Sequence, residues 1–147
     1  MNNCENKFSA DCLAFFDNRK IINVEENSRK FVGINSKRQP FALYHVDGCI
    51  IVEGQKCDFL LLNCSELIAY LIELKGSDLI HAVRQINTTL NHLLGDLADF
   101  TKINARIVLT KVNTPDLKSS DLIKLEKRIR QLGGTLDYKA IVLSENV

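Results

Sequence analysis

Two acids and a lysine stand where a folded chain ordinarily buries hydrocarbon. Cys57-Asp58-Phe59 opens one apolar run, and Leu71-Ile72-Glu73-Leu74-Lys75-Gly76 closes the next. Burying an unpaired carboxylate or ammonium costs several kcal/mol. Asp58, Glu73 and Lys75 should therefore neutralise one another, shift their protonation or share a metal ion. If the two runs form a hairpin whose loop centres near Ser65, Asp58 faces Glu73 directly. A loop centred at Cys64 to Ser65 instead makes them diagonal neighbours, roughly 7–8 Å apart at the backbone and still able to grip one ion. Strand alternation puts Glu73 and Lys75 on one face. Paired carboxylates suit a hard divalent cation such as Mg²⁺, which is usually held by one or two carboxylates, waters and substrate phosphate. Such an ion polarises a phosphoryl oxygen and acidifies a bound water. Lys75 beside it would orient that water or stabilise the developing charge. Phosphodiester hydrolysis is the reaction these parts suit.

Those three residues need a sheet to bring them together. Apolar alternation predicts strands over residues 30–35 and 41–46, with a turn at 36–39 between them. Asp47-Gly48 marks a bend, 49–52 resume the strand pattern, and Glu53-Gly54-Gln55-Lys56 is a turn. Strands over 57–62 and 67–75 follow, around a loop at 63–66. Residues 21–27 are mixed in character. Upstream, Leu13 and Phe16 recur at helical spacing behind Ser9, which predicts a short first helix over 9–18. Beyond Gly76 the apolar period lengthens to that of a helix: Leu79, Ile80, Val83, Ile86, Leu90, Leu93, Leu94 and Leu97 form one stripe, with Ser77 as N-cap. Residues 105–112 read as a buried strand. Leu122, Leu125, Ile129 and Leu132 line a second helix closed by Gly133-Gly134, and 138–143 make a final strand. A meander of antiparallel strands followed by alternating helix and strand predicts an α/β fold, a mixed sheet with helices packed on it.

Asp58, a spacer of fourteen residues and then Glu73-Leu74-Lys75 resemble the core motif of the PD-(D/E)xK nuclease superfamily, which includes many restriction endonucleases and Holliday-junction resolvases. The resemblance spans residues 25–112. It implies a restriction endonuclease-like mixed β-sheet flanked by helices, with residues 1–147 as one domain. It also implies that Asp58 and Glu73 ligate Mg²⁺, with Mn²⁺ as a substitute, that the Leu74 backbone carbonyl adds a ligand and that Lys75 serves the attacking water. Members often carry an upstream acid on the first helix. Glu25 and Glu26 are the candidates here, with Asp17 behind them, and Glu26 is preferred as a metal ligand. Cys57 stands where a proline is often found. Some branches add a glutamine and a tyrosine after the lysine; Gln85 matches the first, but Thr89 stands four residues later and no tyrosine follows. Gln85 also lies opposite the apolar stripe, away from the site. The implied substrate is DNA, cut with preference for structure, with RNA as the substrate of a defence or toxin enzyme as an alternative. A homodimer or a larger complex would supply target choice. The rival from another class is a non-catalytic nucleic-acid-binding or assembly module on the same fold.

Residues 118–130 carry Lys118, Lys124, Lys127, Arg128 and Arg130, relieved only by Asp121 and Glu126. Such runs are ordinarily solvated helix faces. Beside a nuclease site, Lys124 and Arg128 become candidates for phosphate contacts, as do Arg29 and Lys30 with Lys37 and Arg38 in the hairpin turn. Tyr44 and Tyr70, within strands, read as core rather than as stacking platforms. His45, alone in a strand, reads as structural or surface, and His81 and His92 as solvated. The net charge of +1, from 19 basic and 18 acidic residues, sets up no global field to announce a nucleic-acid or membrane partner. Five cysteines, an odd number without Cys-x-x-Cys spacing, suggest a reduced cytoplasmic protein with neither disulfides nor a zinc site. Met1-Asn2-Asn3-Cys4-Glu5 lacks a basic region followed by an apolar one, and no uncharged apolar run approaches the roughly 18 residues that span a bilayer. Neither secretion nor membrane insertion is expected.

Overall fold

The computed structural model describes residues 4–54, 56–74, 78–112, 116 and 118–147. The chain runs through β1 (Leu13–Asp17), β2 (Ile21–Glu26), β3 (Arg29–Ile34), β4 (Phe41–His45), β5 (Phe59–Asn63) and β6 (Ile68–Glu73). It continues through α1 (Leu79–Leu93), β7 (Lys102–Leu109), α2 (Ser120–Gln131), β8 (Leu136–Ala140) and β9 (Val142–Asn146). A central sheet has the order β1-β4-β5-β6-β7-β8, and a smaller one the order β2-β3-β9. β4, β5 and β6 pair antiparallel, whereas β6-β7 and β7-β8 are parallel. Each parallel pair is separated in sequence by a helix that carries the chain back across the sheet.

Alternation along the central strands sorts their side chains into two cores. Leu60, Leu62, Ala69, Leu71, Ala105 and Ile107 meet Val83, Ile86 and Leu90 of α1 and Leu122, Leu125 and Ile129 of α2. On the other face, Leu61, Tyr70, Ile72 and Val108 meet Ile22, Val24, Phe31 and Leu143 of the smaller sheet. The result is three layers of mixed α/β structure. Because β5, β6 and β7 are covered on both faces, they read as nearly continuous apolar runs. A buried arginine ties the layers together: Arg106 of β7 pairs with Glu145 of β9, donates to the Thr135 carbonyl at 2.7 Å and lies 5.6 Å from the Tyr70 ring centre. Burial, reinforced by the Glu145 charge, pushes the Tyr70 phenol up to about 12.

Several expected elements differ. Residues 9–18 form no α-helix: Ser9 caps only a 3₁₀ turn at Ala10–Cys12, and the chain then extends as β1 against β4. A spacing of three between Leu13 and Phe16 is too short a signal to separate helix from strand, and adjacent Phe15 and Phe16 suit the two faces of an edge strand. Residues 21–27, mixed in character, become β2 because Ile22 and Val24 alternate inward. Residues 49–52 make no strand, only the isolated bridge Asp47↔Ile51. Asp78 caps α1 by accepting the Ile80 N–H at 2.9 Å; Ser77, the expected cap, lies outside the described residues. The expected final strand is two strands. The chain passes from β8 into β9 at Ile141, whose φ is 68°. Its N–H donates to the Leu109 carbonyl at 2.8 Å and its carbonyl accepts the Lys30 N–H at 2.9 Å, so this residue belongs to both sheets. A β-branched residue in the left-handed region costs about 1–3 kcal/mol, and those two bonds hold it there.

The cysteines overturn the expectation of a reduced chain. Cys4 is bonded to Cys64 and Cys12 to Cys49, which leaves Cys57 as a buried free thiol. The N-terminal segment docks on the helix-side core, where the Tyr44 hydroxyl donates to the Cys4 carbonyl at 2.8 Å and the Phe8 ring stands edge-on to Tyr44. That docking, not any local spacing, brings the pairs together. No helix among the described residues is long and apolar enough to cross a membrane.

Candidate active site at the ends of adjacent strands

Asp58 and Glu73 come together at one end of the central sheet. The β5–β6 register runs from Asn63↔Ile68 to Phe59↔Ile72, so it is the register that brings Asp58 across from Glu73 rather than the diagonal one. The loop fixes it: Asn63 Oδ1 accepts the N–H groups of Ser65 at 3.0 Å and Glu66 at 2.9 Å. The ladder stops one residue short of the acids. Asp58 donates its N–H to the Ile72 carbonyl at 3.1 Å, and its own carbonyl accepts the Val46 N–H at 3.0 Å. Its side chain closes the end of the hairpin, Oδ2 accepting the Leu74 N–H at 2.7 Å.

Both acids are buried, Asp58 at 3% exposure and Glu73 at 0%. Alternation places Glu73 on the helix side, in line with Ala69 and Leu71. The Cys57 thiol senses both carboxylates. Burial pushes its pKa up, the Glu73 charge raises it further, the Thr89 hydroxyl offsets part of this, and Asp58 adds a smaller upward push. Lys75 lies outside the described residues.

Gln85 does not lie away from this end, as its place opposite the stripe suggested. Its Nε2 donates to the Lys56 carbonyl at 3.1 Å. One turn on, the Thr89 hydroxyl accepts the Cys57 N–H at 2.7 Å and donates to the Gln85 carbonyl at 2.8 Å. The two residues stand four apart on the side of α1 that flanks the Ile86 and Leu90 ridge, and so reach the segment leading into Asp58.

Glu26 lies in the smaller sheet rather than on a helix. It ends β2 and pairs with Arg29 across a two-residue turn in which Asn27 and Ser28 both have positive φ, 51° and 63°, as a tight hairpin requires. Glu25 is exposed, and Asp17 pairs with Arg19 at 2.7 Å. Among the described residues, no three His, Cys, Asp or Glu side chains form a metal-holding group. The oxygen set at hand is therefore Asp58, Glu73 and the Leu74 carbonyl, donors that suit a hard divalent cation. The Leu74 carbonyl already accepts Arg29 Nη1 at 3.2 Å; its second lone pair can take another partner.

The basic candidates separate. Lys124 and Arg128 line a cavity of about 260 Å³ between the helices, together with Arg84, Asn87 and Asp121. There Arg128 donates to Asn87 at 2.6 Å and Arg84 pairs with Asp121 at 3.5 Å. Because β6 and β7 are parallel, both helices start at the sheet end that carries Glu73. Lys37 and Arg38 follow the opposite end of β3, and a strand of that length spans ~20 Å; they are not part of the cluster around Arg29. His81 and His92 are exposed, and Tyr44 and Tyr70 are core. Exposed His45 ends β4, its ring 5.1 Å from that of Phe59. The sequence counted Arg29 only as one of a basic patch; its reach to the end of β6 depends on how the second sheet packs. The chain matches no protein-family model, no curated protein and no solved structure.

Proposed function

We propose that this protein is a Mg²⁺-dependent nuclease built on a restriction endonuclease-like sheet, hydrolysing DNA phosphodiesters. One observation carries the reading: two carboxylates distant in sequence are buried together where adjacent strands end, and one is anchored to the backbone N–H that follows the other. In this reading Asp58, Glu73 and the Leu74 carbonyl hold the ion. When bound, it polarises a phosphoryl oxygen and lowers the pKa of an attacking water. Lys75, which follows Leu74 in sequence, orients that water and offsets charge in the transition state. The Asp58 carboxylate accepts the Leu74 N–H, which ties it to the end of Glu73's strand. Lys124 and Arg128 steady the nucleic-acid backbone from the inter-helix cavity, whereas Lys37 and Arg38 reach only a strand that extends past the far end of the sheet. A homodimer or larger complex supplies target choice. The two disulfides favour an oxidising compartment over the cytoplasm suggested by sequence.

A second reading has its own observation. The Arg29 guanidinium on the Leu74 carbonyl competes electrostatically with an ion for that oxygen, which favours a module that binds nucleic acid without cutting it. Incubating the purified protein with labelled duplex, branched and single-stranded DNA and with RNA, with and without Mg²⁺, separates the two. Cleavage should need Mg²⁺ and disappear in Glu73→Ala and Lys75→Ala, with the fold intact. Cutting retained by both variants refutes the assignment, and binding without cutting selects the second reading.

A further inference from the structure

Arg29 is a half-buried cation held entirely by neutral oxygens. Its Nη1 donates to the Leu74 carbonyl at 3.2 Å and the Asn27 carbonyl at 3.4 Å, and its Nη2 to the Thr110 hydroxyl. No carboxylate of the described residues lies within ion-pair distance of it, and its Nε–H is buried without an acceptor. A guanidinium taken partly out of water without an anion is unfavourable. The structure nevertheless fixes it firmly: the tight hairpin at Asn27 and Ser28 aims β3, and three acceptors from the residue after β6, the hairpin turn and the segment after β7 orient the fork. Thr110 is exposed, and so are Lys111 and Lys139, the latter near the end of β8. Three of the five guanidinium N–H groups are engaged and the Nε–H is buried, so one Nη2 N–H remains available.

We infer that Arg29 and Thr110 form a phosphate-binding subsite at the strand ends beside Asp58 and Glu73, taking one phosphate of a nucleic-acid strand. The remaining Nη2 N–H and the O–H of Thr110, whose oxygen accepts from Nη2, form a pair of donors for phosphate oxygens. The Leu74 carbonyl and Asn27 carbonyl keep the guanidinium from swinging away. This rests on the nucleic-acid reading above but not on cleavage, because phosphate held by Arg29 needs no metal.

Binding of a fluorescein-labelled 15-base-pair DNA duplex, followed by anisotropy in EDTA over a series of salt concentrations, tests it. Arg29→Gln should weaken binding about 5–10-fold and reduce the salt slope by about one counterion. Arg29→Lys should keep the slope while losing part of the affinity, since a point charge replaces a fork. Thr110→Val, exposed and outside both cores, should weaken binding about 2–5-fold. Thermal melts show whether each variant folds. If Arg29→Gln does not fold, Arg29→Lys and Thr110→Val carry the test. Folded variants with wild-type affinity and salt slope overturn the subsite, as does a wild-type protein that binds no duplex. Arg29-dependent binding without Mg²⁺-dependent cutting leaves the subsite standing and removes only the hydrolytic reading.

Discussion

Removing the Cys4–Cys64 bridge with the paired change Cys4→Ala/Cys64→Ala probes the architecture most sharply. The bridged residues are 60 apart in sequence, which in the loop-entropy treatment corresponds to about 4 kcal/mol. Cys12 and Cys49 lie inside that loop, 37 apart, so with their bond intact the outer bridge closes a shorter effective circuit and the figure falls to about 3 kcal/mol. Alanine suits both positions because Cys4 and Cys64 are buried, at 3% and 4% exposure, among apolar side chains. For a chain of 147 residues, a loss of 3–4 kcal/mol lowers the melting temperature by ~10–13 °C. Calorimetry or urea titration of the two proteins reads the difference directly. A thiol count on denatured, unreduced protein makes the test independent of stability: with four of the five cysteines bonded, one thiol should react. Five reactive thiols, or a melting point unchanged by the substitution, would refute the pairing and with it the argument for an oxidising compartment.

Gly134→Ala should cost at least about 3 kcal/mol, because a Cβ there would fall 1.9 Å from the Ile103 carbonyl oxygen, backbone that cannot yield. Gly95→Ala, with nothing within 4 Å of the new methyl, should be neutral by the same urea titration and serves as its control. Alkaline pH should destabilise the fold through Cys57: burial keeps the folded thiol neutral, the unfolded thiol ionises above about 9, and the unfolded chain then binds fewer protons. Stability contributed by this group is full below pH 9 and falls as pH rises, by about 1.4 kcal/mol between pH 8 and pH 10. Cys57→Ala should lack that share, and equal pH dependence in both proteins would contradict it. Tyr70, displaced upward from 10.0 to about 12, extends the same trend from pH 10.

The acid-bearing hairpin was legible because its information is local. Asn63 and the residues after it set the loop, the loop sets the register, and the register delivers Asp58 to the end of Glu73's strand. The helices were legible for the same reason, since the Val83, Ile86 and Leu90 stripe specifies its own face. The rest depends on partners far away in sequence. Nothing near Cys12 indicates Cys49, and β1 became a strand because β4 offered an edge. Gln85 was misplaced because a helical wheel shows which residues leave the core but not which strand end they meet. Arg29 read as one member of a basic patch and a candidate for phosphate contacts, and its contact with Leu74 arises only because the second sheet packs against the first.

The bend at Ile141 also has consequences for assembly. β3 pairs with β9, and Lys30 meets Val142, so an early hairpin waits for a strand far along the sequence before its second edge is satisfied. Until then β3 keeps an open ladder, and the core around Ile22, Val24 and Phe31 lacks Leu143, an arrangement prone to stick to another chain. Completion of the smaller sheet is therefore paced by β9, and a nascent chain that stalls before residue 142 would be the natural client of a chaperone rather than a shortened but serviceable product.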